Sequence, residues 1–219
     1  MPSVTEAAKW CIEAGAHGIT VHPRPDERHI TRQDVYDLAE VIDDVEFNIE
    51  GNPFPDYIDL VTDLHPTQCT LVPDEPDQRT SDHGWNLKED GEHLAPIIDQ
   101  LKIDGMRVSL FLDPDAEQVQ IAKDIGADRI ELYTEAYARA YTEGIADSVM
   151  DSYIAAADLA YSIGLDINAG HDLNLDNLHF FLEAIPHVSE VSIGHALISD
   201  SILMGIHKAI ESYLNALDH

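Results

Sequence analysis

Positive charge is what this sequence has least of. Its 12 lysines and arginines stand against 42 aspartates and glutamates, for a formal net charge of −30. A surface so charged repels nucleic acid and anionic lipid, which excludes both as partners. The acids are scattered along the chain rather than gathered in a tail. They read as a solvated, halophile-like acidic surface whose self-repulsion high salt screens. Cysteine is nearly absent too. Cys11 and Cys69 lie far apart and neither belongs to a CxxC pair, so no disulfide framework or zinc knuckle is implied and both are expected in the core. The chain shows no basic leader followed by an apolar stretch and no apolar run of membrane-spanning length, and it reads as cytoplasmic, without a membrane partner. A GxGxxG turn is also missing, which argues against a dinucleotide-binding sheet.

What is present is a steady alternation of helical and strand patterns. Helical spacing over residues 3–14 leads to a strand at 18–22. Thr31 is a good N-cap for a helix over 31–43, and strand 46–50 precedes helix 55–64. Strand 68–72 is followed by a long polar loop, 73–86, and by helix 89–102. Strand 107–112, helix 114–125, strand 129–134, a helical region over 145–163, strand 165–169, helix 174–184, strand 190–194 and a helical region over 199–217 complete the chain. Without a composition break, this is a single domain over residues 1–219 with parallel strands.

The polar residues decide between an open sheet and a barrel. His22, Glu50, Asp113, Thr134, His171 and His195 fall at or just beyond the C-terminal ends of six different strands. A (β/α)8 TIM barrel gathers those ends into one mouth and does its chemistry there. Period-two alternation sets Asn48 and Glu50 against Phe47 and Ile49, and Glu131 and Tyr133 against Ile130 and Leu132. The apolar sets must face the helices, so the polar ones point inward. A bland reading of Glu131 is an internal ion pair with Arg107 or Arg129. Residues 21–30 are the most unusual stretch, because two of the few arginines, Arg24 and Arg28, stand beside His22 and His29 between prolines. They read as one wall of an anion-binding site.

The segments GITVHPRPDERHI, FNIEG, TLVPDEPDQRTSDHGW, RIELYTEAYA, INAGHDLNLDNL and SIGHALISDSI resemble the pyridoxine 5′-phosphate synthase family, from near residue 4 to near residue 215. The resemblance implies a (β/α)8 barrel with extra helices, assembled as a homo-octamer. It implies condensation of 1-deoxy-D-xylulose 5-phosphate with 3-amino-2-oxopropyl phosphate to pyridoxine 5′-phosphate, inorganic phosphate and water, with neither a metal nor an organic cofactor. His22 and Glu50 would be general bases, His171 a proton donor, and Glu131 a stabiliser of charge in the barrel centre. Arg24, His29 and Thr80 would hold the deoxyxylulose phosphate. Gly194 and His195, with the backbone of Asp172, would bind the phosphate of the second substrate. Loop 73–86, which carries Thr80, suits a hinged lid.

Other residues have plainer expectations. His17, His65, His83, His93, His179, His187, His207 and His219 are expected on the surface, Trp85 as a loop anchor, and Arg79 and Arg139 either reaching phosphate or pairing with surface acids. Asp26 and Glu27 are expected to orient the flanking arginines. The sequence begins near its first helix, whereas the family begins with a strand and loop that contribute to both substrates. That predicts a barrel one strand short, with weakened or lost turnover. Two rival functions follow: a metal-dependent barrel hydrolase or isomerase built on His22, Glu50, Glu131, His171 and His195, or a binder of phosphorylated ligands without catalysis.

Overall fold

The βα alternation folds into one parallel sheet whose strands stand side by side in sequence order, β1 to β7. The computed structural model describes residues 3–76 and 78–217, so the surface expectation for His219 lies outside the described residues. The strands are β1 (Gly18–Val21), β2 (Glu46–Gly51), β3 (Gln68–Leu71), β4 (Arg107–Leu112), β5 (Arg129–Tyr133), β6 (Asp166–Gly170) and β7 (Val188–Ser192). Every neighbouring pair is parallel. The result is a nearly closed seven-stranded α/β barrel of TIM type. Its two end strands, β1 and β7, share no ladder with each other among the described residues, and their side chains are the least buried of the sheet.

The helices follow from local chemistry. α1 (Val4–Glu13) is capped by Ser3, whose hydroxyl accepts from the Glu6 N–H at 3.3 Å. α2 (Arg32–Ala39) starts with a full capping box, Thr31 and Asp34 satisfying each other's backbone N–H. α3 (Pro55–Leu64) opens on a proline, which costs nothing at a position whose N–H is unpaired anyway. α4 (Leu87–Ile103) and α5 (Ala116–Asp124) flank β4, and Asp115 caps α5. After α5, Gly126 at φ 95° turns the chain into β5, a backbone conformation that a side chain would strain. α6 (Glu135–Thr142), α7 (Asp147–Ser162), α8 (Leu178–Ala184), α9 (His195–Met204) and α10 (Ile206–Leu217) complete the layer. None of these helices is long and apolar enough to cross a membrane among the described residues.

The core lies between the sheet and the helices. Ile49, Cys69, Val108, Leu110, Ile130, Leu132, Ile167 and Ala169, the outward set of the strands, are fully buried against Val35, Leu38, Leu94, Ile98 and Tyr153. Each such aliphatic side chain contributes roughly 1.5–3 kcal/mol. The inward set is polar: Asn48, Gln68, Thr70, Ser109, Glu131 and Asn168 are all buried.

The structure corrects several boundaries. Residues 135–142 form α6, which the sequence hides because its alanines carry little apolar signal, although Tyr137 is fully buried. The terminal helical region is two helices separated by Gly205, and the first starts at His195 rather than 199. β7 begins at Val188, not 190: Val188 pairs with Ile167, and the register shift between Ile167 and Asn168 leaves Ser189 as the extra residue of a bulge. Helix α8 starts only at Leu178, since residues 174–177 are held in a turn by the Asn174 and Asn177 side chains.

Candidate active site

Strand pleat and barrel curvature bring the inward residues of β1, β2 and β5 together. His22, one residue past β1, places its Nδ1 3.8 Å from Glu50 Oε2. Burial, reinforced by the negative charge of Asp74, pushes the Glu50 carboxyl up to about 7. Burial and the nearby Arg24 push His22 down to about 4. The pair is therefore a neutral imidazole beside a carboxyl that gains or loses a proton near neutrality, which suits proton transfer. Glu131, deeper in the barrel, is raised well above the ordinary carboxylate range by burial and by Glu50 and Glu190. Its Oε2 has no protein hydrogen-bond partner.

The ion-pair reading of Glu131 is not what the arginines do. Arg107 binds both carboxylate oxygens of Glu46, and Arg129 reaches Glu190 at 2.6 Å and Asp166 at 3.5 Å. These pairs form a separate layer at the N-terminal end of the strands. Glu131 remains free to meet a ligand from the mouth.

The wall predicted at residues 21–30 is assembled with loop 73–86. Arg24 is 7% exposed, donating through Nη2 to Asp74 Oδ2 at 2.5 Å and through Nη1 to the Gln78 carbonyl at 3.1 Å. Ser81 donates to the same Asp74 oxygen at 2.8 Å. Arg28 donates to the carbonyls of Gln78 and Arg79, and its other arm meets Asp26 at 3.1 Å. Glu27 instead accepts the backbone N–H of Arg32, so only Asp26 orients a flanking arginine. Trp85 anchors the far end of the loop, its indole N–H on the Leu71 carbonyl at 2.8 Å. His29 lies exposed on the rim, and burial together with Arg28, Arg24 and the nearby His195 lowers its pKa.

Across the mouth, Thr80 Oγ1 lies 3.3 Å from His171 Nε2, and Asp172 Oδ2 lies 2.7 Å from His171 Nδ1. With a carboxylate on Nδ1, the neutral ring carries its proton there and presents Nε2 to the mouth. His171 and Asp172 have φ of 89° and 60°, two successive left-handed residues without glycine's freedom. The Thr134 hydroxyl, 2.7 Å from the Gly170 carbonyl and 2.5 Å from the His171 carbonyl, shares its one proton between them and offsets part of that strain. The Asn177 side chain holds the Asp172 carbonyl at 3.1 Å. Tyr133 packs edge-on against the His171 ring, and with Val72 and Phe111 it forms an apolar platform beside the polar groups. Gly194 is the N-cap of α9, so His195 occupies a helix N-terminus whose backbone N–H groups suit an anion.

Nine of the ten residues singled out from the sequence thus lie at the C-terminal ends of the strands or on the loops and helix start that follow them, and the tenth, Glu131, lies deeper, in the middle of β5. Sequence reasoning missed the side chains of Asp74, Ser81 and Asp172. Asp74 meets Arg24 from 50 residues away, while Ser81 and Asp172 have partners seven residues and one residue away but lie in loops without periodicity. The plainer expectations have mixed outcomes. His17, His65, His83, His93, His179 and His207 are exposed, while His187 is half-buried under the Tyr161 ring. Arg139 pairs with Glu135 on the surface. Cys69 is fully buried and Cys11 partly so. Among the described residues, no three His, Cys, Asp or Glu side chains are grouped as a metal ion would require.

The sequence model of the family described as pyridoxal phosphate biosynthesis protein PdxJ matches residues 1–219. The chain belongs to that family. Among its curated relatives, the protein of Bacteroides fragilis (strain YCH46) named pyridoxine 5′-phosphate synthase is 50% identical over 217 residues, covering 99% of this chain and 91% of its own. The protein of the same name from Porphyromonas gingivalis is 49% identical, with 99% and 90% covered. Solved barrels are more distant. The phosphoribosyl anthranilate isomerase of Thermotoga maritima superposes with a TM-score of 0.63 at 13% identity, over 98% of this chain and 94% of that one. A thiamine phosphate pyrophosphorylase from Pyrococcus furiosus gives 0.59 at 16% identity, over 98% and 89%. These two share the fold. Membership of the PdxJ family places the chain in pyridoxal phosphate biosynthesis.

Proposed function

We propose that this PdxJ-family chain is a pyridoxine 5′-phosphate synthase that condenses 1-deoxy-D-xylulose 5-phosphate with 3-amino-2-oxopropyl phosphate, releasing phosphate and water. The observation that carries the reading is the juxtaposition of His22 and Glu50 at 3.8 Å, with Glu131 below them and Arg24 beside them. Imine formation between the amine of one substrate and the ketone of the other expels water. The later dehydration and ring closure each move a proton. His22 and Glu50 take those protons, and His171, whose Nε2 faces the mouth, takes one up there and returns it as a donor. Glu131, whose burial favours its protonated form, offers a hydrogen bond to negative charge in the barrel centre. Arg24, His29 and Thr80 hold the sugar phosphate, while Gly194, His195 and the Asp172 backbone take the second phosphate at the start of α9. The reaction so described uses no metal and no organic cofactor. Purified protein supplied with both substrates is expected to form pyridoxine 5′-phosphate; wild-type protein that forms none, with both substrates saturating, would remove this assignment.

The edges of β1 and β7, which share no ladder with each other among the described residues, favour a second reading, a phosphate-ligand binder without turnover. Calorimetry showing deoxyxylulose phosphate bound without product formation would select it. A homo-octameric cytoplasmic enzyme belongs to the same proposal. Its support is the apolar outer face of α9, where Ile202 and Leu203 are 80% and 83% exposed, the kind of patch that another subunit covers. Light scattering on purified protein tests it, and a monomer at working concentration would refute it.

A further inference from the structure

We infer that Asp74 is a positioning residue for the sugar-phosphate half of the site, a single buried carboxylate that sets Arg24 and clasps loop 73–86 at the same time. This deepens the proposed function and rests on it. Asp74 is 4% exposed, and its Oδ2 receives both the Arg24 guanidinium at 2.5 Å and the Ser81 hydroxyl at 2.8 Å. Its backbone carbonyl accepts from the Asn52 side chain at 3.3 Å, which ties the same residue to the end of β2 just past Glu50. Three segments thus converge on one residue: the loop after β1, the end of β2 and the loop after β3.

The consequences for the mouth are specific. Arg24 has five N–H donors, and with Nη1 on the Gln78 carbonyl and Nη2 on Asp74 its plane is held in one orientation. Thr80 is the residue before Ser81, so the Ser81–Asp74 bond also fixes where Thr80 meets His171. A buried charge-assisted pair of this kind is lost as a unit, because removing one partner leaves the other uncompensated. Asp74 makes no hydrogen bond to the His22 or Glu50 side chain; it places Arg24 and the loop, and its charge is also felt by both members of that pair.

The test compares wild type with Asp74→Ala, Asp74→Asn and Ser81→Ala. Steady-state rates are measured with deoxyxylulose phosphate varied at saturating 3-amino-2-oxopropyl phosphate, and then the reverse. KM for the sugar phosphate is expected to rise roughly tenfold or more in Asp74→Ala and less in Ser81→Ala, with the other KM changed by about twofold or less in both. In Ser81→Ala, which keeps the carboxylate charge near Glu50, kcat is also expected to change by about twofold or less. Trypsin cleavage after Arg79 is expected to accelerate in all three variants, because the loop loses its clasp. If Asp74→Ala fails to fold, Ser81→Ala and Asp74→Asn carry the comparison. Both KM values rising together, or an unchanged sugar-phosphate KM in the folded variants, overturns the inference. Should wild type form no product, the functional assignment fails on its own, and the trypsin rates decide the clasp: unchanged cleavage after Arg79 overturns it.

Discussion

At the scale of the residue, the His22–Glu50 pair makes the sharpest predictions, because burial moves the two groups in opposite senses. Glu50 is raised from 4.5 to about 7 on folding, so its favourable contribution is complete below 4.5 and is lost as pH rises through about 7. His22 is lowered from 6.5 to about 4, so its contribution is present above 6.5 and is lost as pH falls through about 4. Glu50→Gln removes the first effect. It should gain melting temperature over wild type at pH 8 but not at pH 4, by up to about 3 kcal/mol of stability, while turnover drops roughly 10²–10⁴-fold. As a base, Glu50 should also make kcat/KM climb with pH through about 7; a flat profile there would assign the proton transfer to another group. Gly170 gives an independent probe. A Cβ at that position would run into Glu131 Oε1, so Gly170→Ala displaces that carboxyl and should cut turnover roughly tenfold or more, with a stability loss of about 1–3 kcal/mol.

At the scale of the element, the site is made by what ends each strand. The helix caps follow the sequence rules, as the Thr31–Asp34 box shows, and the loops do the rest. Loop 73–86 is pinned at its far end by Trp85, where the indole N–H satisfies the buried Leu71 carbonyl. Trp85→Phe removes this bond and should cost about 0.5–1.5 kcal/mol in denaturant unfolding. The strands were legible because period-two alternation separates a helix-facing apolar set from an inward polar set. Helix α6 was not, because its short alanine-rich run follows Thr134 without a linker. The α9–α10 division was not either, since apolar spacing continues on both sides of Gly205.

At the scale of the whole molecule, 42 acids face only 12 lysines and arginines. Arg24, Arg107 and Arg129 are engaged with carboxylates in or beside the barrel, and the remaining nine cations cannot offset the acidic surface. Self-repulsion between surface acids should therefore fall as salt is added. Raising salt from about 0.1 M to 1 M shortens the Debye length from about 10 to 3 Å, and the melting temperature should rise. A melting temperature that falls or stays flat over that range would show that the acidic surface carries no net repulsive cost.

Composition and periodicity alone determined that this chain builds a parallel βα barrel, which face of each strand is polar, and that His22, Glu50, His171 and His195 share its mouth. Those features are local, repeating every two or about 3.6 residues, so they are written in the order of the residues. Only the tertiary structure decided that Arg24 answers to Asp74, 50 residues away, that Thr80 meets His171, 91 residues away, and that Asp172 turns the His171 ring. It also decided that Glu50 and Glu131 are raised while Glu46 is lowered, although all three are glutamates on strands. The difference is depth and company: Arg107 stands beside Glu46, whereas the other two are buried with one another for neighbours. No periodicity encodes that, because it depends on which strands stand side by side once the sheet has curved.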